Sequence, residues 1–169
     1  MSIKRYSWWS PEDGVRNYGI AKENVFSLTA GPASIEVETG AIFGISSDPS
    51  LNSVVVWIER REDGYCLRDE PLETDNELHE LSSVDPIYSN DFWRSIAGCR
   101  ILKITVLQRL YESVRISQLP CQVGLRFSLD SGDAFVAAHG LYDDSDDFSI
   151  IPESLISEEI KKDLREVQI

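Results

Sequence analysis

Apolar and polar positions alternate strictly from Ser34 onward, through Ile35-Glu36-Val37-Glu38. The pattern breaks at Thr39-Gly40 and resumes as Ala41-Ile42-Phe43-Gly44-Ile45. A period of two with one wet face predicts a β-hairpin, which Asp48-Pro49-Ser50 closes. Residues 51 to 58, with Val54-Val55-Val56-Trp57-Ile58 in succession, read as a fully buried strand. The charged turn Glu59-Arg60-Arg61-Glu62-Asp63-Gly64 then leads into a short return, Tyr65-Cys66-Leu67. Residues 69 to 91 lack a sustained period and read as mostly loop, with a short helical turn at Leu78 and Leu81. Ser89-Asn90-Asp91 can cap a short helix over 91–97, ended by Gly98.

Beyond Gly98, Arg100 to Leu107 reads as a central strand. Cys121 to Leu129 alternates cleanly, turns at Asp130-Ser131-Gly132-Asp133 and returns as Ala134 to Ala138, the clearest hairpin in the chain. A short strand, Phe148 to Ile151, stops at Pro152. The order of charges then predicts a C-terminal helix over 157–167: Ser157 as cap, Glu158 and Glu159 in the first turn, Lys161, Lys162 and Arg165 toward the end. Its Ile160, Leu164 and Val167 share one face, which would dock on the sheet. Residues 1–32 read as an irregular aromatic segment, with a turn at Trp8 to Gly14 and the paired tryptophans packed onto the sheet. Together these elements predict a single α+β domain spanning 1–169, its β-rich body at 33–169 built on an antiparallel sheet of about six to eight strands.

Charge adds a second pattern. Residues 69–93 contain no Lys or Arg but carry Asp69, Glu70, Glu73, Asp75, Glu77, Glu80, Asp85 and Asp91. Residues 127–160 are again free of Lys and Arg and carry Asp130, Asp133, Asp143, Asp144, Asp146, Asp147, Glu153, Glu158 and Glu159. Between them lie Arg94, Arg100, Lys103, Arg109, Arg115 and Arg126 against the lone acid Glu112. Blocks of one sign repel themselves and attract the opposite sign, so this layout points to a basic partner. The net charge of −13 argues against nucleic acid and anionic lipid, whose phosphates are bound by Lys and Arg.

The N-terminal residues lack the apolar core of a secretory signal, and no run approaches the ~20 apolar residues of a membrane span. Cys66, Cys99 and Cys121 match no zinc or redox spacing, and the chain reads as cytoplasmic. Catalytic signatures are lacking: no phosphate-cradling glycine loop, no HExxH or CxxC, no nucleophile elbow, and only His79 and His139 as candidate neutral-pH bases. Asp143 to Asp147 resembles a calcium loop only in charge, because Phe148 and Ser154 fall where that loop needs glycine and a bidentate glutamate. No cofactor, metal or enzymatic activity is expected.

Trp93-Arg94-Ser95-Ile96-Ala97-Gly98-Cys99-Arg100-Ile101, followed by a strand, then Val123-x-Leu125-x-Phe127 and Gly132, resembles the immunity proteins of bacterial polymorphic and contact-dependent toxin systems, over residues 90 to 151. The resemblance implies stoichiometric binding of a cognate toxin domain, often a basic nuclease, without catalysis. Asp69, Glu70, Glu73, Asp75, Glu77, Asp143, Asp144, Asp146 and Asp147 are the expected partner-binding acids, with Tyr88 and Tyr142 as anchors beside them. Trp93 and Phe148 read as core. The alternative is a small-ligand-binding or regulatory β-rich domain whose acidity serves solubility alone.

Overall fold

The computed structural model describes residues 1–51, 53–110, 121–142 and 147–168. Among them, ten strands and a few short helices form a mainly-β α+β fold with two five-stranded antiparallel sheets. The expectation of one sheet is corrected: hydrophobic period identifies strands, but their partners are chosen by long-range packing. The chain divides into two compact units, Met1–Ser46 with Val56–Arg100, and Ser47–Val55 with Ile101–Ile169.

In the first sheet the order is β4-β3-β2-β1-β5, with β1 at Ser2–Ser7, β2 at Ala33–Glu36, β3 at Ile42–Asp48, β4 at Ser53–Arg60 and β5 at His79–Ser82. The β2–β3 hairpin matches its alternation. Strand β1 overturns the irregular reading of residues 1–32, since it pairs with both β2 and β5. It was hidden because one inward position is a cation. Ile3 and Arg5 point to the same side, and Arg5 is fully buried. Its guanidinium donates to the carbonyls of Ser27 at 3.5 Å, of Gly31 at 3.3 Å and of Thr29. Burial pushes Arg5 down to about 9, which still leaves it charged at neutral pH. A buried charge is tolerated only when hydrogen bonds replace its water, and these carbonyls do so.

Ser10-Pro11-Glu12-Asp13, read as part of a turn, instead starts helix α1 at Pro11–Tyr18, with the Ser10 hydroxyl accepting from the Asp13 amide. A 3-10 turn at Lys22–Asn24 and the short α2 at Val25–Leu28 follow. Contrary to expectation, Trp8 is 64% exposed. The core forms elsewhere: Phe26 of α2 lies 4.9 Å from Trp93, ring centre to ring centre, and the Trp93 indole donates to Ser27 Oγ at 2.8 Å. Trp93 belongs to α3 at Asp91–Ser95, which Asn90 caps as the sequence predicts. The acidic stretch is more ordered than its loop reading. Its Leu72–Thr74 forms a 3-10 turn and its Leu81 is buried in β5. Four residues with one buried position are too few to show a period.

Strand β4 is a second correction. Five apolar residues in a row predicted burial, yet β4 is the outer strand of its sheet, and Val55, Val56 and Ile58 are exposed.

The second sheet runs β10-β6-β7-β8-β9, with β6 at Ile101–Arg109, β7 at Gln122–Leu129, β8 at Ala134–His139, β9 at Phe148–Pro152 and β10 at Leu164–Gln168. The β7–β8 hairpin forms where its alternation and turn predict it; Phe127 pairs with Phe135, and their rings stack at 4.6 Å. Phe148 is core, as read. The C-terminal helix is shorter than predicted. Ser157 caps α4 at Glu158–Lys162, with Ile160 buried, but Leu164 onward pairs antiparallel with β6 instead of continuing helical. Leu164-Arg165-Glu166-Val167 satisfies its backbone along β6, and a helical face with three apolar residues does not outweigh that ladder.

Candidate functional site

The first acidic block is bolted to its sheet before it presents anything outward. Gly44 of β3 has no side chain, and the Trp57 indole of β4 occupies the space; a Cβ there would lie 2.1 Å from the ring. Two residues on, Glu59 is 2% exposed. One of its carboxylate oxygens accepts the Leu72 amide at 2.5 Å and the other accepts the Trp57 indole N–H. Arg68 lies over the Trp57 ring at 5.4 Å. Leu72 is buried, and the neighbouring Glu73 reaches Lys4 Nζ at 3.3 Å and Arg60 at 3.6 Å. Partial burial alone would lower Lys4, but hydrogen-bonded Glu80, at 3.0 Å, and Glu73 hold it above its usual value. Beside it, burial pushes the Tyr6 hydroxyl up to about 12, and that hydroxyl lies 3.3 Å from Ser34 Oγ.

This anchoring leaves the flanking acids free to face outward. Glu70, Thr74, Asp75, Asn76 and Glu77 line a hollow of about 410 Å³. Asp75 Oδ1 accepts the Glu77 amide at 2.9 Å and the Asp75 carbonyl accepts the Leu78 amide at 3.2 Å, which fixes the turn. Among the described residues, Asp69, Glu70, Asp75 and Glu77 form no ion pair. Like charges crowded without counterions raise the local negative potential.

The predicted site residues therefore separate by role. Glu70, Asp75 and Glu77 share the hollow, and Asp69 is exposed at its approach. Glu73 is taken up by Lys4 and Arg60 as part of the fold. Tyr88 donates to Glu12 at 2.8 Å and so clasps α1; that hydrogen bond raises Tyr88, while Glu12 is lowered first by its own backbone amide and then by Tyr88. In the second unit, Tyr142 and Asp147 are exposed, while Asp143, Asp144 and Asp146 lie outside the described residues. The cationic middle takes up acids of both blocks outside the predicted site: Arg94 pairs with Asp91, and Arg126 grips Glu153 with two bonds of 2.6 and 2.8 Å.

Sequence reading missed the fasteners Lys4, Glu59 and Arg60. The one available signal was Glu59 itself, two positions after a strand tryptophan and so on the same side of β4. His79 is exposed on β5 and His139 is buried on β8. Among the described residues no group of His, Cys, Asp and Glu is placed to hold a metal ion. Nor is any described helix long and apolar enough to cross a membrane. Neither a protein-family model nor a curated protein nor a solved structure matches the chain.

Proposed function

We propose that the protein is a non-catalytic acidic binding protein that inhibits a basic partner protein, in the manner of an immunity protein neutralising a cognate toxin domain, in the cytoplasm. The observation that supports this reading is the anchored acidic hollow: Glu70, Asp75 and Glu77, without counterions among the described residues, on a segment held by Glu59, Glu73 and Leu72. A rigid anionic face meets a basic protein without an ordering cost and steers its approach, raising association toward roughly 10⁸ M⁻¹s⁻¹ at low salt. A nuclease is a suitable target, because its own substrate demands exposed Lys and Arg.

The test is co-expression with the products of the neighbouring genes, each first screened for toxicity on its own. Rescue of growth, together with a slower and less salt-dependent association for a Glu70→Lys, Glu77→Lys double variant, supports the reading. A variant that binds as fast as the parent at low salt removes the hollow from it.

A further inference from the structure

The turn that follows β4 carries a second feature. Ala41, Phe43, Ile58, Arg61, Glu62 and Asp63 line a hollow of about 360 Å³, its apolar part from Ala41, Phe43 and Ile58 and its charged rim from the turn after β4. That volume is at the small end of the roughly 300–1,000 Å³ typical of ligand sites, suited to one or two side chains. Large apolar side chains surround it in the sequence: Val56 is 50% exposed, Ile58 44%, Tyr65 63% and Leu67 51%. Outer strands normally carry charges, proline or a cover to prevent such exposure, and an apolar outer strand marks a docking surface. The rim is fixed in place, since Arg61 donates to the Tyr65 carbonyl at 2.9 Å and Asp63 accepts the Tyr65 amide at 3.0 Å.

The charges select the occupant. Two carboxylates, Glu62 and Asp63, outnumber Arg61 at the rim, and the chain as a whole stands at −13. A second copy of this chain would bring a further −13, and anionic lipid is likewise repelled. We infer that this hollow takes an aliphatic side chain from a segment of a basic protein in which Lys or Arg flank that side chain, the apolar group entering over Phe43 and Ile58 and the cations meeting Glu62 and Asp63. This rests on the reading of the partner as a basic protein and supplies the apolar anchor that the acidic hollow at Glu70 lacks, since charge gives rate and specificity while buried apolar groups give residence time.

The test uses the full chain and three synthetic hexapeptides, alternating Leu-Lys, Ser-Lys and Leu-Glu, titrated calorimetrically. The Leu-Lys peptide is expected to bind at least tenfold more tightly than either of the others, to lose about tenfold on Ile58→Asp, and to lose severalfold on Glu62→Lys with Asp63→Lys. Ile58→Thr, which retains strand propensity, guards against unfolding and is expected to weaken binding in the same direction. Equal binding of the Ser-Lys peptide, or no loss with either Ile58 variant, overturns the inference. So does sedimentation showing a dimer that Ile58→Asp dissolves, because the face would then belong to a second copy. Unchanged capture of the basic partner by Ile58→Asp removes this anchor alone, whereas failure of growth rescue with peptide binding intact removes the toxin reading alone.

Discussion

Replacing Glu59 with Gln tests the fastening of the acidic segment. The carboxylate is 2% exposed and holds two donors, the Leu72 amide and the Trp57 indole, one on each oxygen. Glutamine keeps the shape but offers one acceptor oxygen, so its NH₂ must face the other donor. One buried donor is then unsatisfied at about 1–3 kcal/mol, and the remaining bond loses its charge assistance, worth about 1 kcal/mol more. Arg68, 4.0 Å away and largely in water, adds little. The expected destabilisation is about 2–4 kcal/mol, a substantial part of the ~5–15 kcal/mol that holds a typical domain. Because the lost bond joins 68–72 to β4, opening of that segment should feel the full effect. Hydrogen exchange at the Leu72 amide should accelerate by roughly 30- to 1,000-fold, since each 1.4 kcal/mol is a factor of ten. Urea unfolding followed by tryptophan fluorescence gives the global counterpart. An unchanged Leu72 exchange rate with an unchanged urea midpoint would refute the claim that Glu59 holds the acidic segment.

Arg5→Met should destabilise the first unit by about 2–4 kcal/mol, because the carbonyls of Ser27, Thr29 and Gly31 lose a buried charged donor; a thermal unfolding scan checks it. Gly31→Ala should cost more than about 2 kcal/mol, since φ is +118° and the new Cβ would lie 2.3 Å from the Tyr6 carbonyl oxygen; a parental urea midpoint would contradict this. Tyr6 is raised to about 12 by burial, so its contribution is fully present below its unfolded value near 10 and is lost as pH rises through 12. Stability measured between pH 10 and 12 should fall less steeply in Tyr6→Phe than in the parent.

Legibility followed the physics of each element. The hairpins at 33–48 and 122–139 were readable because both strands and the turn lie in one stretch, with period and turn chemistry agreeing. Strand β1 was not, because Arg5 sits where the pattern demands an apolar residue, and its carbonyl partners are more than 20 residues away. Strand β10 was misread because Ile160, Leu164 and Val167 fit a helical face while Leu164 and Val167 fall on opposite sides of a strand, so only the pairing with β6 reveals it. The same division governs the candidate site. Block composition alone marked the acids, yet Glu73 proved to be a structural ion-pair partner while Glu70, Asp75 and Glu77 came to share one hollow.

Local chemistry thus determined the mainly-β α+β class, the caps at Asn90 and Ser157, and the presence of a strongly anionic segment, because each depends on neighbours along the chain. Tertiary structure alone decided that Val54 to Ile58 would form an outer strand, that Glu59 would be buried, and which carboxylates would be left facing water. Those outcomes depend on which distant groups supply or withhold hydrogen bonds and cover, and a one-dimensional pattern carries no record of them.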